Sequence, residues 1–392
     1  MVLLAFMGQG AAAATTQGIP VVYVFIQEEF SLTRTQVGLI TSAIFGAGAS
    51  TSLLMGWALD RYGIRRVLPL GLFLLSGGFL LFSQGHSLGQ LFTLGVLLGM
   101  VTTVGHPAGS KAIMDWLPLR VRAIGMSLKQ AAVPAIGAVS AAVLPAIAVA
   151  LGWRMAIVVL ALVVLVAALT IFLLYRDNPL ARGLSAGRGT FTQGLGAVVR
   201  NRGLLSASVM FILMVGLQFV LLTYLIIFLT EVIRFPVLLA GAALAVVQVT
   251  SFIGRIVWGA VSDGPFRGRR IPVLLIVNGL STLFLLAMAA LTSSTPTWIV
   301  WALIVALGLT VISWHGVYTA MVAELAGPGL TGTAIGFIGT FSRLGPVTIP
   351  PLFGFIVDST DGNYRLAWLG AALLAAVATL SLTLVREVRR EG

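Results

Sequence analysis

Gly56-Trp57-Ala58-Leu59-Asp60-Arg61-Tyr62-Gly63-Ile64-Arg65-Arg66 places four charged side chains between two apolar runs, residues 35–58 and 67–84. Each run can cross a hydrocarbon core of about 30 Å at 1.5 Å per residue. The stretch therefore reads as a short basic hairpin between two membrane helices. Gly63 permits the tight turn. Gly56 allows two helices to approach closely, as small residues do inside membranes. Asp60 can pair with Arg61 or Arg65, or face a helix N-terminus.

Working outward, the apolar pattern continues to both ends. Hydrophobic residues make up 58% of the chain and charged residues 9%, with mean hydropathy +1.05. A soluble domain of 392 residues needs far more charged surface, so the fold class is an all-α polytopic membrane protein. Twelve spans are expected near 2–27, 35–58, 67–84, 88–113, 122–149, 153–175, 203–230, 236–261, 271–291, 297–322, 332–357 and 365–385. Residues 176–202, rich in Arg with Gly, Ser and Asn, read as a linker between two six-helix halves, 1–175 and 203–392, the second ending in a short tail.

The net charge of +12 is topological. Of the 24 Lys and Arg, seventeen fall in alternate loops or the tail. Only Arg34, Arg154, Arg234 and Arg365 fall on the other side, and three lie inside spans. This positive-inside bias predicts cytoplasmic termini, in an inner membrane of bacterial type. It favours anionic lipid heads as neighbours and argues against a nucleic-acid partner. No signal peptide is visible, and the first span starts so early that a short leader is expected to be missing. With no Cys, disulfides, thiolate metal sites and Cys nucleophiles are excluded.

The halves repeat in chain order with a slowly drifting offset. Tyr23 and Gln17 match Tyr224 and Gln218; Gly56 and Asp60 match Gly259 and Asp263. His106 and Asp115 match His315 and Glu324, Ala123-Ile124-Gly125 matches Ala334-Ile335-Gly336, and Gly152-Trp153-Arg154 matches Asn363-Tyr364-Arg365. Two six-helix repeats place a substrate site near the midplane between them.

The hairpin resembles the G-x-x-x-D-R-x-G-x-R-R signature of the major facilitator superfamily. Gly259, Asp263, Arg267, Arg269 and Arg270 form a degraded second copy. With the span count, linker and repeat, the resemblance covers the whole chain. It implies twelve helices in two pseudo-symmetric bundles, alternating access, and a cytoplasmic latch made by Gly56, Asp60, Arg61, Gly63, Arg65 and Arg66, echoed at Gly259 and Asp263. A monomer is the family default.

Three cations lie inside the spans, and every acid lies near a span end, in a loop or in the tail. Arg343 is about 16 Å, Arg255 about 12 Å and Lys129 about 10 Å from the basic end. A cation at that depth costs roughly 2.5–3.5 kcal/mol on insertion scales, so it survives facing a partner or a watery cavity. With no acid at their level, the three are expected to line an anion site, the Arg forks suiting a carboxylate. Basic residues in spans eight and eleven also resemble, more distantly, the oxalate/formate and monocarboxylate porters. Lys129 could instead snorkel along its stem. His106 and His315 are the internal candidates for proton exchange. Gln130 beside Lys129, with Tyr23, Tyr224, Gln17, Gln218, Gln248 and Asn278, could orient a ligand or join helices. Pro20, Pro107, Pro134, Pro346 and Pro350 mark expected bends.

No phosphate loop, paired carboxylate or His cluster at metal spacing is present, so neither an enzyme nor a cofactor is expected. The expectation is a secondary carrier of a small organic anion, with proton symport and anion exchange both open. Its rivals are a drug or amphipath exporter, which ordinarily needs a cavity acid, and a non-transporting sensor on the same fold.

Overall fold

The computed structural model describes residues 1–178, 202–326 and 341–385. Most of the expected linker, most of the basic tail and the repeat segment at Ala334 lie outside them. So does the Asp60 side chain.

Every regular element among the described residues is helical. Among the described residues nine helices are long and apolar enough to cross a membrane, and Leu344–Ser359 is a shorter apolar one. The first span is divided: Val2–Gly18, a tight turn of helix Ile19–Val22 around Pro20, then Tyr23–Phe30. The second is a single helix, Arg34–Tyr62, started by a Thr33–Gln36 capping box. With these, the chain has the twelve spans of two six-helix bundles.

By their contacts the residues group into two compact units, Met1–Gly187 with Val237–Ala245, and Arg188–Pro236 with Val246–Gly392. Inside the first, span one packs on span five, span two on span four and span three on span six. Inside the second, span seven packs on eleven and nine on twelve. Spans eight and ten meet through Gly308, where an added Cβ would lie 2.5 Å from Val247 O. The same three pairings recur, as a duplicated bundle requires.

Individual contacts recur too. Gly99 in span four lies against Ile44 of span two as Gly308 lies against Val247 and Thr250 of span eight. At the end of the bundles opposite the basic hairpin, Trp153 Nε1 donates to Glu29 Oε2 (2.6 Å), and Tyr364 OH donates to Glu231 Oε2 (2.9 Å).

The Glu29 staple has a second strand. Arg154 donates to Glu29 (2.7 Å) and to Gly85 O (3.1 Å) and lies over the Trp153 ring. Glu29 lies past the apolar run, and the Arg154 hydrogen bond holds its carboxyl below the usual range. A depressed carboxyl contributes stability above its ordinary value, about 4.5, and loses it as pH falls through the folded value. The pair is over a third exposed, so about 1 kcal/mol or less is at stake. Glu29→Gln is expected to flatten the acid limb of a melting-temperature profile below about pH 4.5 and leave neutral pH within a few degrees. An unchanged acid limb would remove this assignment.

Candidate functional site

Besides span one, four spans are interrupted among the described residues, and these four interruptions follow the repeat. Span four breaks between Leu88–Thr102 and Gly105–Trp116, and span ten between Thr297–Thr310 and His315–Ala326. Span five breaks at Ala131, between Leu119–Gln130 and Ala132–Leu151. In span eleven a turn at Ser342-Arg343 precedes Leu344–Ser359. Pro107, Pro134 and Pro346 each lie four residues past Thr103, Gln130 and Ser342, so none of these carbonyls receives an N–H from that position, and Ser342 O accepts from Gly345 N–H instead (3.2 Å). Span ten breaks without proline. Its carbonyls at Leu309, Val311 and Ile312 are met by the side chains of Ser313, Trp314 and His315.

The expected cations sit at these breaks. Lys129 is 1% exposed, so it neither snorkels nor lines an open surface. Its Nζ donates to Ser110 Oγ (2.8 Å) and to His106 O (3.3 Å), joining the span-five break to span four. The His106 ring and Gln130 are exposed on the same two helices. Arg343 is half-buried in the turn itself rather than deep in a continuous helix, and no acceptor is paired with its guanidinium among the described residues.

In the second unit Arg255 lies beside the span-ten break, its carbonyl 4.0 Å from where a Cβ on Gly316 would stand. Its Nε is buried with no acceptor among the described residues. His315 stacks on Trp314 at 4.0 Å and lies edge-on to Phe211, with Nδ1 3.1 Å from Ile312 O. That contact makes Nδ1 the protonated nitrogen and leaves Nε2 as an acceptor.

The neutral polar candidates divide. Tyr23 OH meets Thr41 Oγ1 (3.2 Å), and Tyr224 OH donates to Pro350 O (2.8 Å), so both phenols join helices. Gln17 and Gln248 are buried. Gln218 Oε1 and both amide atoms of Asn278 are buried without partners among the described residues. Gln9, which sequence reasoning passed over for Gln17, belongs with them. Gln9 packs beside Gly105, and its Oε1 is buried without a partner among the described residues, as is Thr103 Oγ1 at the break itself. Its proximity to the break follows from how spans one and four pack, and periodicity carries no sign of that.

The profile of the Major Facilitator Superfamily matches residues 5–348. This chain belongs to the major facilitator superfamily. Among curated relatives, the hexuronate transporter of Bacillus subtilis (strain 168) is 26% identical over 385 residues, 93% of this chain and 88% of that one. The probable sulfoacetate transporter SauU of Cupriavidus necator is 26% identical over 377 residues, 91% and 86% of the two chains. Among solved structures, a bacterial homolog of the human lysosomal transporter Spinster, inward-facing and unoccupied, superposes with a TM-score of 0.82 at 16% identity, over 98% of this chain and 96% of that one.

In the superfamily hairpin, a Cβ at Gly56, or at Gly259 in the second copy, meets no described atom within 4 Å. Gly63 does make the turn, at φ +82°, and a Cβ would lie 2.6 Å from Asp177 Oδ2. Asp177, unassigned from sequence, accepts the Ile64 and Arg65 N–H groups (3.1 and 3.2 Å), so a carboxylate caps span three. Arg61 packs on Trp57 and Tyr62, and Arg65 and Arg66 are exposed. Lys111 Nζ donates to Leu59 O (3.3 Å) near the end of span two. In the second copy Arg270 bonds Asp263 (2.5 Å), Ser262 Oγ (2.9 Å) and Glu324 (3.4 Å), tying spans eight, nine and ten.

Proposed function

We propose that the chain is a secondary active carrier of a small organic anion, with a carboxylate as its recognised group. The supporting observation is that Arg255, on unbroken span eight beside the span-ten break, and Arg343, in the span-eleven turn, hold permanent positive charge with no acceptor among the described residues. An unpaired guanidinium in that setting is an anion site by default. Broken helices at the midplane are the usual scaffold for such sites in transporters. The names of the hexuronate and sulfoacetate relatives agree with an anionic cargo. Alternating access follows from the superfamily, with the basic end and both termini in the cytoplasm of a bacterial-type inner membrane, acting as a monomer. The hairpin around Asp60 and the Asp263–Arg270–Glu324 cluster act as latches at that end. Proton symport and anion exchange are both compatible with this site. His315 Nε2 and the His106 ring are polar contacts for the cargo.

The test is a thermal-shift screen of purified protein against glucuronate, galactarate, sulfoacetate, oxalate, chloride, cationic drugs and neutral sugars, followed by uptake in proteoliposomes. A ligand at 100 times its Kd adds about 2.7 kcal/mol to stability. Stabilisation confined to carboxylates, with flux, supports the proposal. Stabilisation by cations or neutral compounds alone favours an exporter. Carboxylate stabilisation without flux favours a sensor.

A further inference from the structure

A carrier that couples to protons needs a group that changes charge inside the spans. In this superfamily fold the chain offers no acid at that depth. His106 has its ring exposed, and His315 has one nitrogen committed to Ile312 O. We infer that Lys129 is the proton-carrying group, alternating between ammonium and amine during the cycle; this rests on the carrier reading above.

The surroundings of Nζ serve both forms. As an ammonium, Lys129 donates to Ser110 Oγ and His106 O, while Ser110 donates to His106 O (2.9 Å). As an amine, it has a lone pair and two N–H groups. The Ser110 hydroxyl, donor and acceptor at once, can turn from His106 O to that lone pair, and the amine still donates to His106 O. No counter-ion holds the charged form among the described residues. Span one (Val2–Gly18) and the outer half of span five (Ala132–Leu151) contribute no titratable side chain. Span four contributes His106, Lys111 and, more than a turn beyond Ser110, Asp115. In sequence the helix of Lys129 also carries Arg120 and Arg122, about two turns or more before it. Among the described residues every near neighbour is neutral or basic, the setting in which a lysine gives up its proton.

The step balances without redox chemistry. On one side the Nζ lone pair takes a proton from water-borne hydronium. On the other the ammonium returns it to water. One proton and one unit of anionic charge cross together, so the loaded form gains no net charge from its cargo. An arginine at this position would keep its proton throughout.

The chain has only two lysines, Lys111 and Lys129, so each can be watched directly. The full-length protein, labelled with 13C at lysine Cε, is titrated by NMR in lipid nanodiscs, with Lys111→Arg assigning the two signals. The Lys129 signal is expected to pass through a one-proton step within roughly pH 6–9. Ser110→Ala should displace the Lys129 step and Ser110→Thr restore it. A Lys129 signal flat across that range makes it a fixed staple and overturns the inference. This readout needs no substrate, so it stands apart from the carboxylate screen. In proteoliposomes given D-glucuronate, Lys129→Arg should carry glucuronate without moving protons. Proton movement matching the parent chain would equally overturn the inference.

Discussion

Arg255→Gln is expected to weaken binding of a carboxylate substrate by roughly thirty-fold to several thousand-fold. That range is the 2–5 kcal/mol lost when one partner of a buried hydrogen-bonded charge pair is truncated. The high value follows from the site. Arg255 Nε is already out of water and has no acceptor among the described residues, so a bound anion has no intramolecular rival. The packing that holds the side chain is independent of its charge. Gly254 seats span eight against Ser313 and Leu309, and Trp258 Nε1 donates to Leu309 O (2.7 Å). The variant should therefore fold, and removing an uncompensated cation should leave or raise its melting temperature. Arg255→Lys keeps the charge and loses the planar fork, so it should fall between parent and Gln variant. Isothermal titration with the best carboxylate of the screen measures all three. Equal affinities, within about twofold, would return Arg255 to a structural role.

The fold was largely legible because membrane insertion imposes its rules on composition. Length and polarity of the apolar runs determine the spans, and the repeat is visible as paired residues such as Trp153 with Tyr364. The pairing of each with its glutamate, Glu29 and Glu231, was not visible, because it joins the ends of separate spans. At the site, burial of charge is readable from sequence: Lys129, Arg255 and Arg343 stand out against their neighbours. The direction each side chain takes is not. Lys129 turns into its own bundle toward Ser110 because span four breaks beside it, and the break depends on Pro107 within a packed helix pair. Asp177 and Glu324 looked like loop acids. Each becomes specific only once chain ends brought together by the bundle give it Ile64 N–H or Arg270 as partner. Span ten is the clearest limit. Its break has no proline to announce it and rests on three side chains taking backbone carbonyls.

Glycine substitutions separate the packing of each bundle from the motion of the carrier. Gly99→Ala is expected to be the most damaging single methyl in the first unit. Its Cβ would stand 2.1 Å from Ile44 O and 2.8 Å from Ile44 Cα, and backbone atoms cannot rotate away as a side chain can. Gly308→Ala meets Val247 O at 2.5 Å and the Thr250 hydroxyl closer still, so the duplicated helix pair should fail in the same way. Forcing either pair apart costs about 3 kcal/mol, the upper end for an overpacked core. The readout is a melting temperature lowered by several degrees, or loss of the monodisperse peak on gel filtration. Gly56→Ala and Gly259→Ala are the matched controls. Each adds the same methyl to a helix, where alanine is worth roughly 0.5–1 kcal/mol over glycine, and neither meets a described atom within 4 Å. Both should melt at or above the parent temperature. The superfamily signature nonetheless places a glycine at Gly56, and the proposed latch supplies a reason, a state in which a helix closes on it. Gly56→Ala should therefore keep its stability and lose transport rate, whereas Gly99→Ala loses both together. A Gly56→Ala protein that transports at the parent rate would show that the hairpin glycine is dispensable to closure. The latch would then rest on its charged residues alone.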